Sequence, residues 1–179
     1  MLFRSSQLFH GSRAYQAIAN SKEVDAVLIA SPPYFHPQHL EAVVEGGKHV
    51  YCEKPVAVDV PGARRVIHCG EKAQGRLSLD VGFQLRHAPP LEELVRRVHG
   101  GALGEISGAQ TYYHTGALRR PPWPNASPAE TRVRNWVWDR ALSGDILVEQ
   151  AIHVVDICNW ILQAHPRSEE RRVGKECRL

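Results

Sequence analysis

Residues 25–55, with the sequence DAVLIASPPYFHPQHLEAVVEGGKHVYCEKP, alternate between two local patterns, and this alternation indicates the fold class. Short apolar runs at 25–30 and 48–52 flank a segment whose apolar residues have helical spacing. Continuous apolar runs of this length are typical of parallel strands that are covered on both faces. A strand, a helix and a second strand in this order predict an α/β fold with a parallel sheet.

The alternation continues only as far as about residue 84. Asp59 begins a predicted helix with proline in its first turn, and residues 77–83 have the composition of a third strand. Beyond that point, residues 89–99 and 145–163 both show helical spacing of their apolar side chains. We therefore predict two structural units with a boundary near residue 84.

The segment between those last two helices is less regular. Strand-like residues lie around Ile106 and at 111–113. Residues 116–131 contain too many prolines for regular secondary structure. The sequence therefore predicts a short strand followed by a long loop.

Composition places the chain among folded globular proteins. Hydrophobic residues make up 43% and charged residues 23% of the 179 residues, which excludes a mostly disordered or collagen-like chain. No window holds about 18 consecutive apolar residues, so we expect neither a transmembrane helix nor a membrane partner. The four cysteines are dispersed without a CxxC pair. Their pattern indicates neither a zinc site nor a disulfide framework and favours a reducing, cytoplasmic location.

The two ends of the chain differ in character from the rest. Residues 167–179, RSEERRVGKECRL, carry eight charges and resemble the translation of a sequencing adapter, and residues 1–5 resemble the adapter at the other end. Without these ends the net charge of +3 disappears, so we predict no nucleic-acid partner. We expect residues 6–166 to be an internal segment of a longer protein, whose own N-terminus could carry an export signal. A genuine, solvated tail is the alternative.

Two loops at predicted strand ends carry residues that suit ligand binding, since ligands of open α/β sheets bind at the carboxyl ends of the strands. The loop SPPYFHP, residues 31–37, leads into a helix N-terminus, where His36 could cap the helix or approach a cofactor. Lys54 follows the second strand and could stabilise charge on a reacting oxygen, with Glu53 holding its ammonium group. A rigid turn and an exposed ion pair are the alternatives.

The last predicted helix carries a polar stripe. Glu149, His153, Asp156 and Trp160 fall on one helical face among mostly apolar neighbours. His153 is the residue type best suited to accept a proton near neutral pH, and Glu149 could orient its imidazole. A solvent-facing stripe is the alternative. A zinc site would have only two ligands here, so we predict no metal.

The order of these motifs resembles that of one known family. SPPYFH, GGKHVYCEKP, VGFQLR, GALGEI and GDILVEQAIHVVDICNW follow one another in this chain. Their succession resembles the glucose–fructose oxidoreductase, inositol dehydrogenase and rhizopine-catabolism (Gfo/Idh/MocA) family, and GKHVYCEKP is its most specific part. The resemblance implies an α/β fold with two partial domains. Residues 6–84 would form the C-terminal half of a Rossmann-type parallel sheet, and residues 85–166 would begin an α/β (α+β) substrate domain.

The resemblance also implies a cofactor and a substrate class. Members bind NAD or NADP and act on a hydroxyl or carbonyl carbon of a sugar, a polyol or a related compound, and they are often homo-oligomers. The cofactor-binding residues that it implies here are Ser31, Pro33, His36, Glu53, Lys54 and Gln84.

Three catalytic residues are implied in the same way. Lys54 would hydrogen-bond the reacting oxygen, His153 would take the hydroxyl proton as hydride leaves, and Glu149, where many members carry Asp, would orient His153. The function implied is that of an NAD(P)-dependent oxidoreductase. An NAD-retaining lyase or glycosidase and a non-catalytic cofactor- or sugar-binding protein are the alternatives. Because the sequence contains no G-x-G-x-x-G turn, we expect this chain alone to bind nicotinamide cofactor poorly and to be inactive.

Overall fold

Three strands form one parallel sheet in the order β1–β2–β3. They are β1 (Ala26–Ile29), β2 (His49–Glu53) and β3 (Leu79–Gly82). The register pairs Leu28 with Tyr51 and Tyr51 with Asp80. Each strand lies within two residues of its predicted position, so the α/β class and the parallel sheet are confirmed.

The computed structural model describes residues 8–165, and the adapter-like ends predicted from the sequence lie outside the described residues. Helices connect and follow the strands, as expected for parallel pairing. In chain order they are α1 (Ala14–Ala19), α2 (His36–Glu45), α3 (Val60–Ala73), α4 (Pro89–His99), α5 (Pro128–Arg134), α6 (Arg140–Ser143), α7 (Asp145–Glu149) and α8 (Ile152–Leu162). Short 3₁₀ helices occupy Pro33–Phe35, Gln84–His87 and Trp136–Trp138.

The start of α3 has the predicted local cause. The Asp59 carboxylate accepts a hydrogen bond of 2.7 Å from the Gly62 backbone N–H, which is the usual N-cap contact. Pro61 lies in the first turn, where its missing N–H costs no helical hydrogen bond. Local sequence therefore sets where this crossover helix begins.

The core lies on one side of the sheet only. Helices α1, α2 and α3 all contribute to a single buried cluster with alternate strand residues such as Ile29, Val50 and Cys52. On the opposite side Leu28 is 68% exposed. The expectation that the first apolar run is covered on both faces is therefore wrong for the described residues, because all three helices pack against the same face.

Gly46 offers a stability test of this packing. A Cβ at Gly46 would lie 2.3 Å from the backbone oxygen of Ala19, where α1 meets the end of α2. We expect Gly46→Ala to destabilise the chain by about 1–3 kcal/mol, since backbone must shift to admit the methyl group. Gly70→Ala is the matched control, because its Cβ would meet nothing within 4 Å in α3 and alanine favours a helix by about 0.5–1 kcal/mol. Urea unfolding of the two variants checks this, and equal stabilities would contradict it.

Three sequence expectations in the second unit are wrong. The proline-rich segment 116–131 ends in regular structure, because α5 begins at Pro128 with its proline in the first turn. The residues around Ile106 and at 111–113 form no strand, because no other segment between residues 8 and 165 pairs with them. The final helix is not continuous: α7 ends at Glu149 and α8 begins at Ile152. The helix break lies between Glu149 and His153, so these two residues do not share one uninterrupted helical face.

Candidate active site

Lys54 connects the end of β2 to the break between α7 and α8. Its Nζ donates to the Glu149 carboxylate at 2.8 Å and to the Glu149 backbone oxygen at 2.5 Å. Both side chains are largely buried, with 14% and 15% of their surface exposed. This ion pair joins residues 95 positions apart, which brings the two candidate segments together.

The partner of Lys54 differs from the sequence expectation. The sequence predicts that Glu53 holds the ammonium, but β2 ends at Glu53, and the carboxylate that contacts the Lys54 ammonium is that of Glu149. The Glu53 carboxylate instead lies over Gly82 of β3, where an added Cβ would come within 2.7 Å of its Oε2. Glu149 takes the role expected of Glu53, and it is therefore engaged with Lys54 and not with His153.

The helix break lies at the Lys54 contact. In a continuous α-helix the His153 N–H would donate to the Glu149 oxygen. That oxygen accepts from Lys54 instead, and the His153 N–H donates to Gln150 at 3.2 Å. Ala151 N–H reaches back five residues to Ile146, which is a π-type turn, a feature frequent at functional sites.

His153 lies in an aromatic environment immediately after this break. Its side chain is 6% exposed, its ring stacks on Tyr113 with centroids 5.8 Å apart, and the Phe83 ring meets it edge-on at 6.5 Å. Burial first, and the Lys54 charge second, lower the pKa of His153 below its usual 6.5. The neutral imidazole is favoured, and its buried Nδ1 has no hydrogen-bond partner among residues 8–165.

The pKa of Glu149 is shifted in the direction opposite to that of His153. Burial raises the pKa of the Glu149 carboxyl, and the hydrogen bond and charge of Lys54 oppose that rise. Its Oε2 is buried without a partner in the described part of the chain, while Oε1 binds Lys54. The carboxylate therefore depends on Lys54 for its charge compensation.

The remaining sequence-predicted residues lie at the same edge of the sheet. Ser31 and the buried Pro33 follow β1, and the buried His36 ring ties two loops together. One of its nitrogens lies 2.6 Å from the Ser31 oxygen and the other 2.7 Å from the Pro55 oxygen. Gln84 is exposed just after β3. His36 is thus placed to shape the two loops, with no exposed ring surface for a direct cofactor contact.

A cavity of about 500 Å³ opens beside the ion pair. Glu149 and Gln150 line one side, and Trp138, Arg140 and Asp145 contribute aromatic and charged groups. Lys54 and His153 are not among its lining residues. Among residues 8–165, no group of three or more His, Cys, Asp and Glu side chains could hold a metal ion.

The structure adds residues that the sequence analysis did not assign. Phe83 and Tyr113 contact the His153 ring, and Arg86 binds both carboxylate oxygens of Asp156 at 2.8 Å. Phe83 and Arg86 belong to the VGFQLR motif, which could have identified them as site residues. Tyr113 belongs to no such motif, and its predicted strand gives no reason to place it at the site.

Comparison with known proteins agrees with the fold. Residues 3–81 match the Gfo/Idh/MocA family, described as an oxidoreductase family with an NAD-binding Rossmann fold. The chain is 30% identical over 146 residues to an inositol 2-dehydrogenase of Paracoccus denitrificans, which covers 82% of this chain and 37% of that enzyme.

Two solved structures share the fold. An oxidoreductase domain protein from Kribbella flavida superimposes with a TM-score of 0.64 at 24% identity, over 83% of this chain and 38% of that one. A levoglucosan dehydrogenase in complex with NADH and levoglucosan gives 0.59 at 22% identity, over 82% and 37%. The chain thus spans well under half the length of these proteins.

No helix between residues 8 and 165 has the length and apolarity needed to cross a bilayer.

The motif order, the matched residues and the parallel sheet all agree with one another. The chain belongs to the Gfo/Idh/MocA oxidoreductase family, and its three parallel strands agree with the Rossmann-type fold of that family.

Proposed function

We propose that the whole protein transfers a hydride between NAD or NADP and a hydroxyl or carbonyl carbon of a sugar, a polyol or a related compound. The observation that carries this proposal is the Lys54–Glu149 ion pair, which joins the carboxyl end of β2 to the turn before His153. The cation at the end of β2 and the neutral imidazole at the start of α8 supply the two groups that alcohol oxidation needs.

Lys54 and His153 each keep one hydrogen-bonding atom that is not used in the described part of the chain. An ammonium has three donors, and two of those on Lys54 bind Glu149, so the third is available for the reacting oxygen. The buried Nδ1 of His153 has no partner between residues 8 and 165, so in the neutral tautomer with its proton on Nε2 it keeps an unused lone pair that can accept the hydroxyl proton. As that proton moves to His153, the carbinol carbon becomes a carbonyl and its hydride leaves.

The residues at this sheet edge suit a nicotinamide cofactor. Ser31, Glu53 and Gln84 offer a hydroxyl, a carboxylate and an amide at the carboxyl ends of three parallel strands, which is where ligands of open α/β sheets bind. When bound, NAD⁺ or NADP⁺ would accept the hydride. The levoglucosan dehydrogenase with NADH and the inositol 2-dehydrogenase support this cofactor and a polyhydroxylated substrate.

The direct test is spectrophotometric. The whole protein, recovered from the DNA flanking this segment, should reduce NAD⁺ or NADP⁺ with net accumulation of NADH or NADPH when offered inositols and aldoses. Product formed without net accumulation would favour a redox-neutral lyase or glycosidase. Saturable binding of sugar or cofactor without any turnover would favour a binding protein.

We further propose that the 179-residue chain by itself binds the cofactor weakly. The glycine-rich turn that holds the pyrophosphate in a Rossmann fold has no counterpart in the sequence. Isothermal titration with NADH and with NADPH should give no saturable heat below about 1 mM, equivalent to less than about 4 kcal/mol of binding free energy. The whole protein is the positive control, and micromolar binding by the short chain would contradict the proposal.

A further inference from the structure

The Arg86 guanidinium holds helix α8 at the edge of the sheet. Its Nε and Nη2 each donate to one oxygen of Asp156 at 2.8 Å, and its Cζ lies 5.4 Å from the centre of the Trp160 ring. Asp156 is mostly buried, whereas Arg86 is 40% exposed. A two-point contact of this kind fixes orientation as well as distance.

This contact lies on the same face of α8 as the candidate base. Asp156 lies three residues after His153, and Trp160 lies seven residues after it, so all three share one side of the helix. Phe83, three residues before Arg86, touches the His153 ring itself. The segment 83–86 therefore contacts α8 at two levels, once at the imidazole and once at the ion pair.

The break before α8 makes these contacts decisive for the position of His153. The Glu149 oxygen accepts from Lys54 and not from the His153 N–H, so α8 does not continue the hydrogen-bond ladder of α7. Its placement depends on tertiary contacts along its length. Near the C-terminal end, His99 of α4 lies 3.1 Å from the Trp160 oxygen. In the middle of the helix, one turn after His153, the anchor is the Arg86 contact to Asp156.

We infer that Arg86 is a positioning residue for His153, acting through Asp156 to set both the orientation of the imidazole and the charge that faces it. The inference rests on the proposed function in one respect only, that His153 is the base. The groups that face His153 are Lys54 from the end of β2, Glu53 from β2, Asp156 from α8 itself and the phenol of Tyr113.

The sign of the charge effect follows from these neighbours. Asp156 raises the pKa of His153, while burial and Lys54 lower it. Arg86 neutralises Asp156, so its removal leaves an uncompensated carboxylate three residues from the imidazole. The carboxylate then stabilises the imidazolium, and His153 should gain its proton at a higher pH.

The test is a proton NMR titration of the 179-residue chain, with the signal of His153 identified among the ten histidines by its loss in His153→Gln. Arg86→Gln should raise the titration midpoint of His153 by about half a pH unit, the order of effect of one unit charge on a nearby group in water. Arg96→Gln is the matched control, because Arg96 pairs with Glu93 on the exposed surface of α4. It should leave the midpoint unchanged.

Orientation has a separate readout. Arg86→Lys keeps the positive charge but loses the two-point contact, so the midpoint should stay while the ring-current shifts that Tyr113 and Phe83 impose on His153 diminish. A folded Arg86→Gln with the wild-type midpoint would overturn the charge role. If Arg86→Gln does not fold, Arg86→Lys decides, and unchanged ring-current shifts there overturn the inference. Neither readout uses turnover, so failure here is distinguishable from failure of the proposed oxidoreductase activity.

Discussion

His153→Ala in the whole protein should lower kcat for alcohol oxidation by about 10²–10⁴-fold, the usual contribution of a general base. Alanine would remove the neutral imidazole that burial and the charge of Lys54 favour. The effect is measured as the steady-state rate with whichever inositol or aldose the whole protein oxidises. His68→Ala is the matched control, since His68 is exposed on α3 and pairs only with Glu71.

The pH dependence of the rate gives the same prediction a second measurement. A base must be unprotonated to work, so kcat/KM should fall as the pH drops through the pKa of His153. Because that pKa is lowered, the fall should lie below pH 6.5, and His153→Ala should abolish it. Undiminished turnover in His153→Ala would remove His153 from the reaction, whatever the shape of the pH profile.

Lys54→Met should destabilise the fold by about 3–5 kcal/mol, the typical cost of leaving one partner of a buried ion pair uncompensated. Glu149 would keep a mostly buried carboxylate with no cation beside it. Urea unfolding measures the loss. Lys72→Met is the control, because Lys72 and Glu45 form an exposed pair at 3.5 Å whose removal should cost less than about 1 kcal/mol.

A second substitution separates the structural role of Lys54 from its chemical role. The double variant Lys54→Met, Glu149→Gln removes both charges, so much of the lost stability should return. Activity in the whole protein should not return, because no donor reaches the reacting oxygen. A double variant with full stability and full turnover would show that Lys54 serves the fold alone.

Local patterns were sufficient for the first half of the fold. The strands, the Asp59 cap and the helices between strands follow from short continuous apolar runs, from helical spacing of 3.6 residues and from capping chemistry, which depend on neighbours a few residues away. The same local rules were not sufficient for Leu28, whose exposure depends on which face the helices cover. They also failed for Tyr113, because a strand exists only where another strand pairs with it.

The candidate site divides in the same way. Residue types and strand-end positions alone indicated Lys54 and His153 as candidates, since lysine and imidazole chemistry can be inferred without coordinates. The three-dimensional fold alone established that Glu149, and not Glu53, holds Lys54, and that the helix is broken at this contact before His153. The reason is physical: an ion pair between residues 95 positions apart exists only after the chain has folded, and helical periodicity, which depends on neighbours a few residues away, carries no information about it.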